Sequence, residues 1–221
     1  MNKHFLTLSD KSKYMIFNLK GEHSITSNLK YHNLECTKLN GCSCLELKEV
    51  KSYKYLGITI DSCLNWKEHI KNLNKKLLNI TRTFYLIKNM CSLKVLKTLY
   101  YAMVQSHLGY GLSCWGGAYD TNLKPTITLQ KAIIRIMLKK NRMEPSCPLF
   151  KQLRILPLKK LYTLKLMTSF VNLRLVNEAP QVEDTTVNLR NPRIATVPRP
   201  HLTLFKQSFY YNAPKTFNRC K

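Results

Sequence analysis

The chain has 221 residues and 44% hydrophobic content, enough to bury a core and too apolar for general disorder. Its 36 Lys and Arg against 12 Asp and Glu leave a net charge of +24, which implies a polyanionic partner, nucleic acid before an anionic membrane surface. No apolar run approaches the roughly 20 residues that span a bilayer, and the polar stretch Met1 to Ser9 is no secretion signal. A membrane partner is therefore not expected, and an intracellular location, nuclear or cytoplasmic, is.

Residues 1–62 read as short strands. Tyr14-Met-Ile-Phe17 is too short an apolar run for a helix. Asn33 to Thr37 and Ser43 to Leu47 flank the turn signal Leu39-Asn-Gly-Cys42, which predicts a hairpin. Tyr53 to Ile60 is rich in aromatic and β-branched residues and predicts one further strand, with Gly57 as a bulge or a place of close backbone approach.

From Trp66 the apolar period changes from 2 to about 3.5. Trp66, Ile70, Leu73, Leu77, Ile80, Phe84 and Ile87 predict an amphipathic helix. Ser92 is placed to cap a second helix through Leu93, Leu96, Tyr100, Met103 and His107, with Val95, Leu99 and Val104 widening its apolar face. Glycines 109, 111, 116 and 117 break the pattern around Trp115. A third helix takes in Leu129 to Leu138, with Pro125 near its entry. Ser146 is placed to cap a short helix through Leu153, and Pro157 to open another through Leu161, Leu164, Met167 and Val171. A linker at Glu178 to Arg190 and four further prolines predict an extended C-terminal segment. The fold class expected is α+β and mostly α: a small antiparallel β segment over 1–62, a helical bundle over 63–178 and an extended Pro-rich tail over 179–221.

The charge is uneven. Residues 1–65 carry 9 basic and 6 acidic side chains, residues 66–178 carry 20 and 4, and residues 179–221 carry 7 and 2. On the first helix Lys67, Lys71, Lys75 and Arg82 share one arc, roughly opposite the apolar stripe. Three lysines on one face repel one another unless counter-charge arrives, and phosphate supplies it. The plainer alternative is a solvated lysine surface that keeps the helices soluble.

Other candidate chemistry is thin. His32, Cys36, Cys42 and Cys44 are the only cluster dense enough for zinc, but the single residue between the last two departs from a zinc knuckle, and buried strand cysteines explain them better. Metal-assisted nucleotidyl transfer needs carboxylates held close together. The four aspartates are Asp10, Asp61, Asp120 and Asp184, and the one adjacent acidic pair, Glu183-Asp184, sits in the polar linker. No catalytic or metal-binding residue is assigned. Trp66 and Trp115 read as core anchors, Tyr100 and Tyr101 as interface packing, and His69 as a boundary residue on the first helix.

Six short segments occur in a telling order. They are Leu6-Thr-Leu-Ser-Asp-Lys-Ser12, Tyr55-Leu-Gly-Ile-Thr-Ile-Asp61, Trp66 with His69-Ile70, Tyr110-Gly-Leu-Ser-Cys-Trp-Gly116, Gln130-Lys with Arg135, and Ser208 through Pro214 to Asn218. Together they resemble the end of the palm and the thumb of reverse transcriptases of non-LTR, LINE-type (jockey-like) retrotransposons. The resemblance implies a helical thumb over the basic middle of the chain. It places Lys11 near incoming nucleotide, with Asp10 standing where the family usually has Asn. It also implies that the aromatic-Ala-Asp-Asp hairpin precedes this stretch, so Mg²⁺ is expected only for the full-length enzyme.

The function expected is that of a reverse-transcriptase fragment, inactive by itself, which holds an RNA–DNA or DNA duplex without reading its sequence. Lys11, Lys67, Lys71, Lys75 and Arg82 are the candidate contacts. A stand-alone basic helical protein that binds nucleic acid or scaffolds a complex is the alternative. A helix-turn-helix factor is disfavoured because the basic residues spread over several helices.

Overall fold

A computed structural model describes residues 11–17, 29–31, 44–175, 195, 197–200 and 202–219. The hairpin turn at 39–42, the cysteines at 36 and 42, His32, Asp10 and the linker at 178–190 lie outside the described residues. The chain falls into two compact units, Met1–Glu68 and His69–Lys221.

The first unit holds three two-stranded pairings. β1 (Lys13–Tyr14) runs parallel to β4 (Lys48–Glu49), and β2 (Lys30–Tyr31) runs antiparallel to β3 (Leu45–Glu46). β5 (Ser52–Tyr55) and β6 (Ile58–Asp61) form an antiparallel hairpin in the register Tyr55↔Ile58 to Ser52↔Asp61. The run expected as one strand is thus two. Leu56 and Gly57 form its two-residue turn, with φ of 44° and 81°. Positive φ at both central residues is the turn that matches strand twist. A leucine in that conformation is costly, which is why its side chain gave no turn signal.

Asp61 closes this unit. Its carboxylate accepts the backbone N–H groups of Cys63 (3.2 Å), Asn65 (3.0 Å) and Trp66 (2.8 Å). Those bonds hold a loop in which Leu64 and Trp66 both take left-handed conformations, φ 52° and 62°. Trp66 is therefore half-buried in a loop and does not open the apolar row of the helix. α1 (Lys67–Ile87) starts one residue later, where the Asn65 side chain accepts from the Lys67 amide at 2.9 Å.

The second unit is helical. Ile70, Leu73, Leu77, Ile80 and Phe84 bury the inner face of α1 at the expected 3,4 spacing. Ser92 caps α2 (Leu93–Leu99) by accepting from Val95 N–H, as its position predicts. The helix then widens into a π turn, Tyr100–Gln105, and continues as α3 (Ser106–Gly109). The buried residues here are Leu96, Tyr100, Val104 and Leu108, a strict repeat of four. In an α-helix each step of four overshoots a full turn by about 40°. The wider i→i+5 turn offsets that drift and keeps all four inside. Leu93 and Val95, expected on the buried face, are 44% and 46% exposed instead.

α4 (Leu112–Trp115) follows Gly111, whose φ of 58° needs a glycine. A Cβ on Gly116 would meet the Tyr162 ring and the Leu112 carbonyl, and one on Gly117 would meet the Gln207 carbonyl. α5 (Asp120–Met137) carries Pro125 inside its N-terminal half. α6 (Ser146–Leu153) is as expected, but Ser146 is its first residue and makes no cap bond. α7 (Leu158–Leu175) begins directly after Pro157 and buries Leu158, Leu161, Leu166 and Phe170, leaving Leu164 and Val171 partly in solvent.

Chain expected to be extended is in part helical. A 3₁₀ turn (Leu204–Gln207) leads into α8 (Phe209–Phe217), capped by Ser208. Leu166, Phe170, Ala195 and Ala213 make a common core, and the Phe170 and Phe217 rings meet at 5.2 Å. Asn218 pairs with both backbone groups of Ala195, accepting its N–H at 3.0 Å and donating to its carbonyl at 2.8 Å. Pro214, which read as a helix-free tail, is tolerated near the end of α8, where the missing N–H costs one bond.

Candidate nucleic-acid interface

The outer face of α1 is where charge and fold meet. Lys67, Lys71, Lys75 and Arg82 are all exposed and lie within an arc of roughly 80° at the α-helical rotation. The Arg82 guanidinium donates to the side-chain amide oxygen of Asn79 at 3.4 Å, which leaves other N–H groups of the fork pointing elsewhere. Leu78 and Tyr85, 43% and 59% exposed, interleave the cations on the same arc. Lys88 places its ammonium 3.9 Å from the centroid of the Tyr85 ring.

The inner face anchors that surface. Thr126 of α5, fully buried, donates to the Asn74 side chain at 2.8 Å. His69 is buried and tilts against Trp115 with ring centroids 5.7 Å apart. Burial first, and then the charge of Lys76, holds its imidazole below the usual range. Trp115 is a core anchor, its indole N–H donating to the Tyr110 carbonyl at 2.9 Å.

Gln130 is the polar centre of the bundle and 1% exposed. It donates to the Tyr100 hydroxyl (2.9 Å) and the Leu156 carbonyl (3.0 Å), and accepts from the Leu158 amide (2.9 Å). Every polar partner is thereby satisfied across the π turn, α5 and the start of α7. Burial pushes the Tyr100 phenol up to about 12, against the opposite pull of the Gln130 bond. Arg135 donates to the Glu144 carbonyl at 2.9 Å and pins the turn after α5.

Lys11 belongs to the other unit. It is exposed and lines a cavity of about 560 Å³ together with Lys13, Phe17, Tyr53 and Tyr55. The Lys13 ammonium sits 6.0 Å from the Tyr53 ring centroid. Of this group only Lys11 was expected at a site. The signal for the rest was the alternation of basic and aromatic residues in Lys51-Ser-Tyr-Lys-Tyr55. The structure thus groups Lys67, Lys71, Lys75 and Arg82 on one helix face and gives Lys11 different neighbours.

Among the described residues no three His, Cys, Asp or Glu side chains gather as a metal-holding group. Asp61 spends its carboxylate on three backbone amides, and Asp120 pairs with Lys159 at 2.8 Å. No helix among the described residues is long and apolar enough to cross a membrane.

The molecule is thus a basic, mostly helical α+β protein whose first long helix is buried on one face and cationic and open on the other. Over 92 residues, 40% of this chain, its sequence is 32% identical to the RNA-directed DNA polymerase from mobile element jockey of Drosophila melanogaster. The match covers 10% of that protein, so the chain spans a small part of the curated relative's length. No protein-family model matches the chain, and no solved structure does. The likeness supports a partial and distant relation to the reverse transcriptases of non-LTR retrotransposons.

Proposed function

We propose that these 221 residues are a palm-end and thumb segment of a non-LTR retrotransposon reverse transcriptase, and that they hold a nucleic-acid duplex through its phosphates. The observation that carries the reading is the exposed arc of Lys67, Lys71, Lys75 and Arg82 on a helix whose opposite face is sealed into the core. Such a helix cannot turn its cations inward, and a row of ammonium and guanidinium groups on a rigid rod complements a polyphosphate backbone. Contacts of this kind position a duplex without reading its bases, so affinity is indifferent to sequence. The distant likeness to an RNA-directed DNA polymerase supports an RNA–DNA hybrid or a DNA duplex as the occupant.

The residues of the motifs that resemble the family are architectural here. Asp61 caps a loop, Trp115 and Gln130 tie helices together, and Arg135 and Asn218 pin backbone turns. These residues by themselves therefore grip and do not polymerise. Fluorescence anisotropy with labelled hybrid and DNA duplexes of unrelated sequence tests the grip, and equal affinities across sequences are the expected result. Primer extension with template and Mg²⁺ is expected to yield no product, and incorporation by the isolated chain overturns that part of the reading.

One observation favours a second reading. The His69–Lys221 unit has its own closed core and satisfied polar centre, as a self-standing binding or scaffold module requires. A single cooperative thermal transition of that unit in the soluble chain is the outcome this alternative needs.

A further inference from the structure

A second cavity, of about 470 Å³, opens between α7 and the wall made by the π turn and α3. That volume lies within the about 300–1,000 Å³ of ordinary small-ligand sites. Two tyrosines line it, Tyr101 at 39% exposure and Tyr110 at 54%. Tyr101 has two contacts that orient it: its hydroxyl donates to the Arg154 carbonyl at 3.4 Å, and its ring meets Tyr100 edge-on at 5.9 Å. Tyr100 is in turn fixed by Gln130.

The π turn shapes this wall. The Ser106 amide bonds to the Tyr101 carbonyl five residues back, which spreads Tyr101, Gln105 and Ser106 along the rim. Single π turns within helices occur frequently at functional sites. Beside Gly109 the space is open, since a Cβ there would meet nothing within 4 Å. Lys165 of α7 is the one charged side chain among the described lining residues, and no carboxylate opposes it. Gln105 adds an amide that both donates and accepts.

We propose that this cavity receives one unpaired nucleotide, its base against the Tyr101 and Tyr110 rings, its edge at the Gln105 amide and its phosphate at Lys165. An aromatic wall selects a planar occupant, and a cation without an opposing carboxylate selects an anionic one. A nucleotide is both. Stacking is tolerant of base identity because every base has a π face. The proposal rests on reading the chain as a nucleic-acid binder, but it uses none of the α1 cations and concerns a single strand.

The test uses the full chain and two probes: a single-stranded tetranucleotide containing 2-aminopurine, and a blunt DNA duplex. Binding is expected to quench the 2-aminopurine. Tyr101→Ala and Tyr110→Ala should each weaken tetranucleotide binding by about five- to 140-fold, the worth of one stacked base, and leave the duplex affinity unchanged. Tyr101→Phe and Tyr110→Phe keep the ring and should retain binding, which separates stacking from a packing defect. Lys165→Ala should lower the salt slope of tetranucleotide binding by about one. Absence of quenching, or alanine variants that bind the tetranucleotide as the unaltered chain does, overturns the proposal. If quenching is absent and the duplex binds, this cavity alone is wrong. If the duplex fails and quenching persists, the duplex grip is wrong and the cavity stands.

Discussion

In the His69–Lys221 unit, side chains from each of α1 to α8 and from the π turn are sealed from solvent, down to Trp115, Tyr100 and Phe84 at 0% exposure. Among the described residues of Met1–Glu68 no hydrophobic side chain is fully buried, and the one buried side chain is the charged Asp61. The described part of the first unit is tied by strand pairing and by one carboxylate that satisfies three amides. The second is held by packed volume around a satisfied polar centre. Backbone bonds of the first kind contribute about 1 kcal/mol each and open locally, whereas a packed core opens as a whole. Among the described residues, packing therefore concentrates where the net positive charge also concentrates.

Substitutions that target one unit at a time put that contrast to work. Trp115→Ala should cost about 3–5 kcal/mol, since it empties a fully buried site and orphans the Tyr110 carbonyl. Urea unfolding should show the loss in the helical unit, with Asp61-dependent loop protection unaffected. Gln130→Leu should follow closely. It leaves the Leu158 amide and the Tyr100 hydroxyl buried without their partner, at about 1–3 kcal/mol for each, while the Leu156 carbonyl of an exposed residue turns to water. A loss under 1 kcal/mol (roughly one exposed bond) would mean that the polar centre is dispensable.

Asp61→Ala should act on the other side of the comparison. Hydrogen exchange at Cys63, Asn65 and Trp66 should accelerate, and the left-handed Leu64 and Trp66 should relax, at about 1.5–3 kcal/mol of local stability. The midpoint of helical unfolding should not move. A shift of both would show that the two units unfold as one.

The smallest effect is that of pH on His69. Its folded pKa lies below the unfolded value of 6.5, because burial and then Lys76 disfavour the imidazolium. Above pH 6.5 both states are neutral and the group contributes nothing to pH dependence. As pH falls through 6.5 the unfolded state takes the proton first, so stability declines until the folded pKa is reached. His69→Gln should flatten this part of the denaturation profile relative to the unaltered chain. An unchanged slope on the acid side would assign the pH dependence elsewhere.

The sequence was legible where one physical rule acted alone. The inner row of α1 follows the 3,4 spacing, Ser92 caps α2, and Pro157 sits at the start of α7, because periodicity and capping are local. It was opaque where tertiary context overrode the local rule. Leu56 takes a left-handed turn that its side chain disfavours, because strand pairing on both sides selects it. The repeat of four from Leu96 to Leu108 reads as a drifting α-helix unless the π turn is known. Phe209 to Phe217 looked extended because Pro214 falls within it, yet Ser208 at one end and packing on Phe170 form a helix. At the candidate interface the arc of four cations follows from helical spacing alone. The grouping of Lys11 with Tyr53 and Tyr55 did not, because these residues come from a hairpin far along the chain.

The salt dependence of duplex binding, compared between the unaltered chain and a variant with Lys67, Lys71, Lys75 and Arg82 changed to alanine, probes the grip most directly. If these four side chains neutralise phosphates, the slope of log affinity against log salt shrinks by about three to four in the variant, alike for every duplex sequence. Helix content and unfolding midpoint should match the unaltered chain, since all four residues are exposed. Equal slopes and equal affinities for the two proteins would contradict the outer face of α1 as the duplex-binding surface.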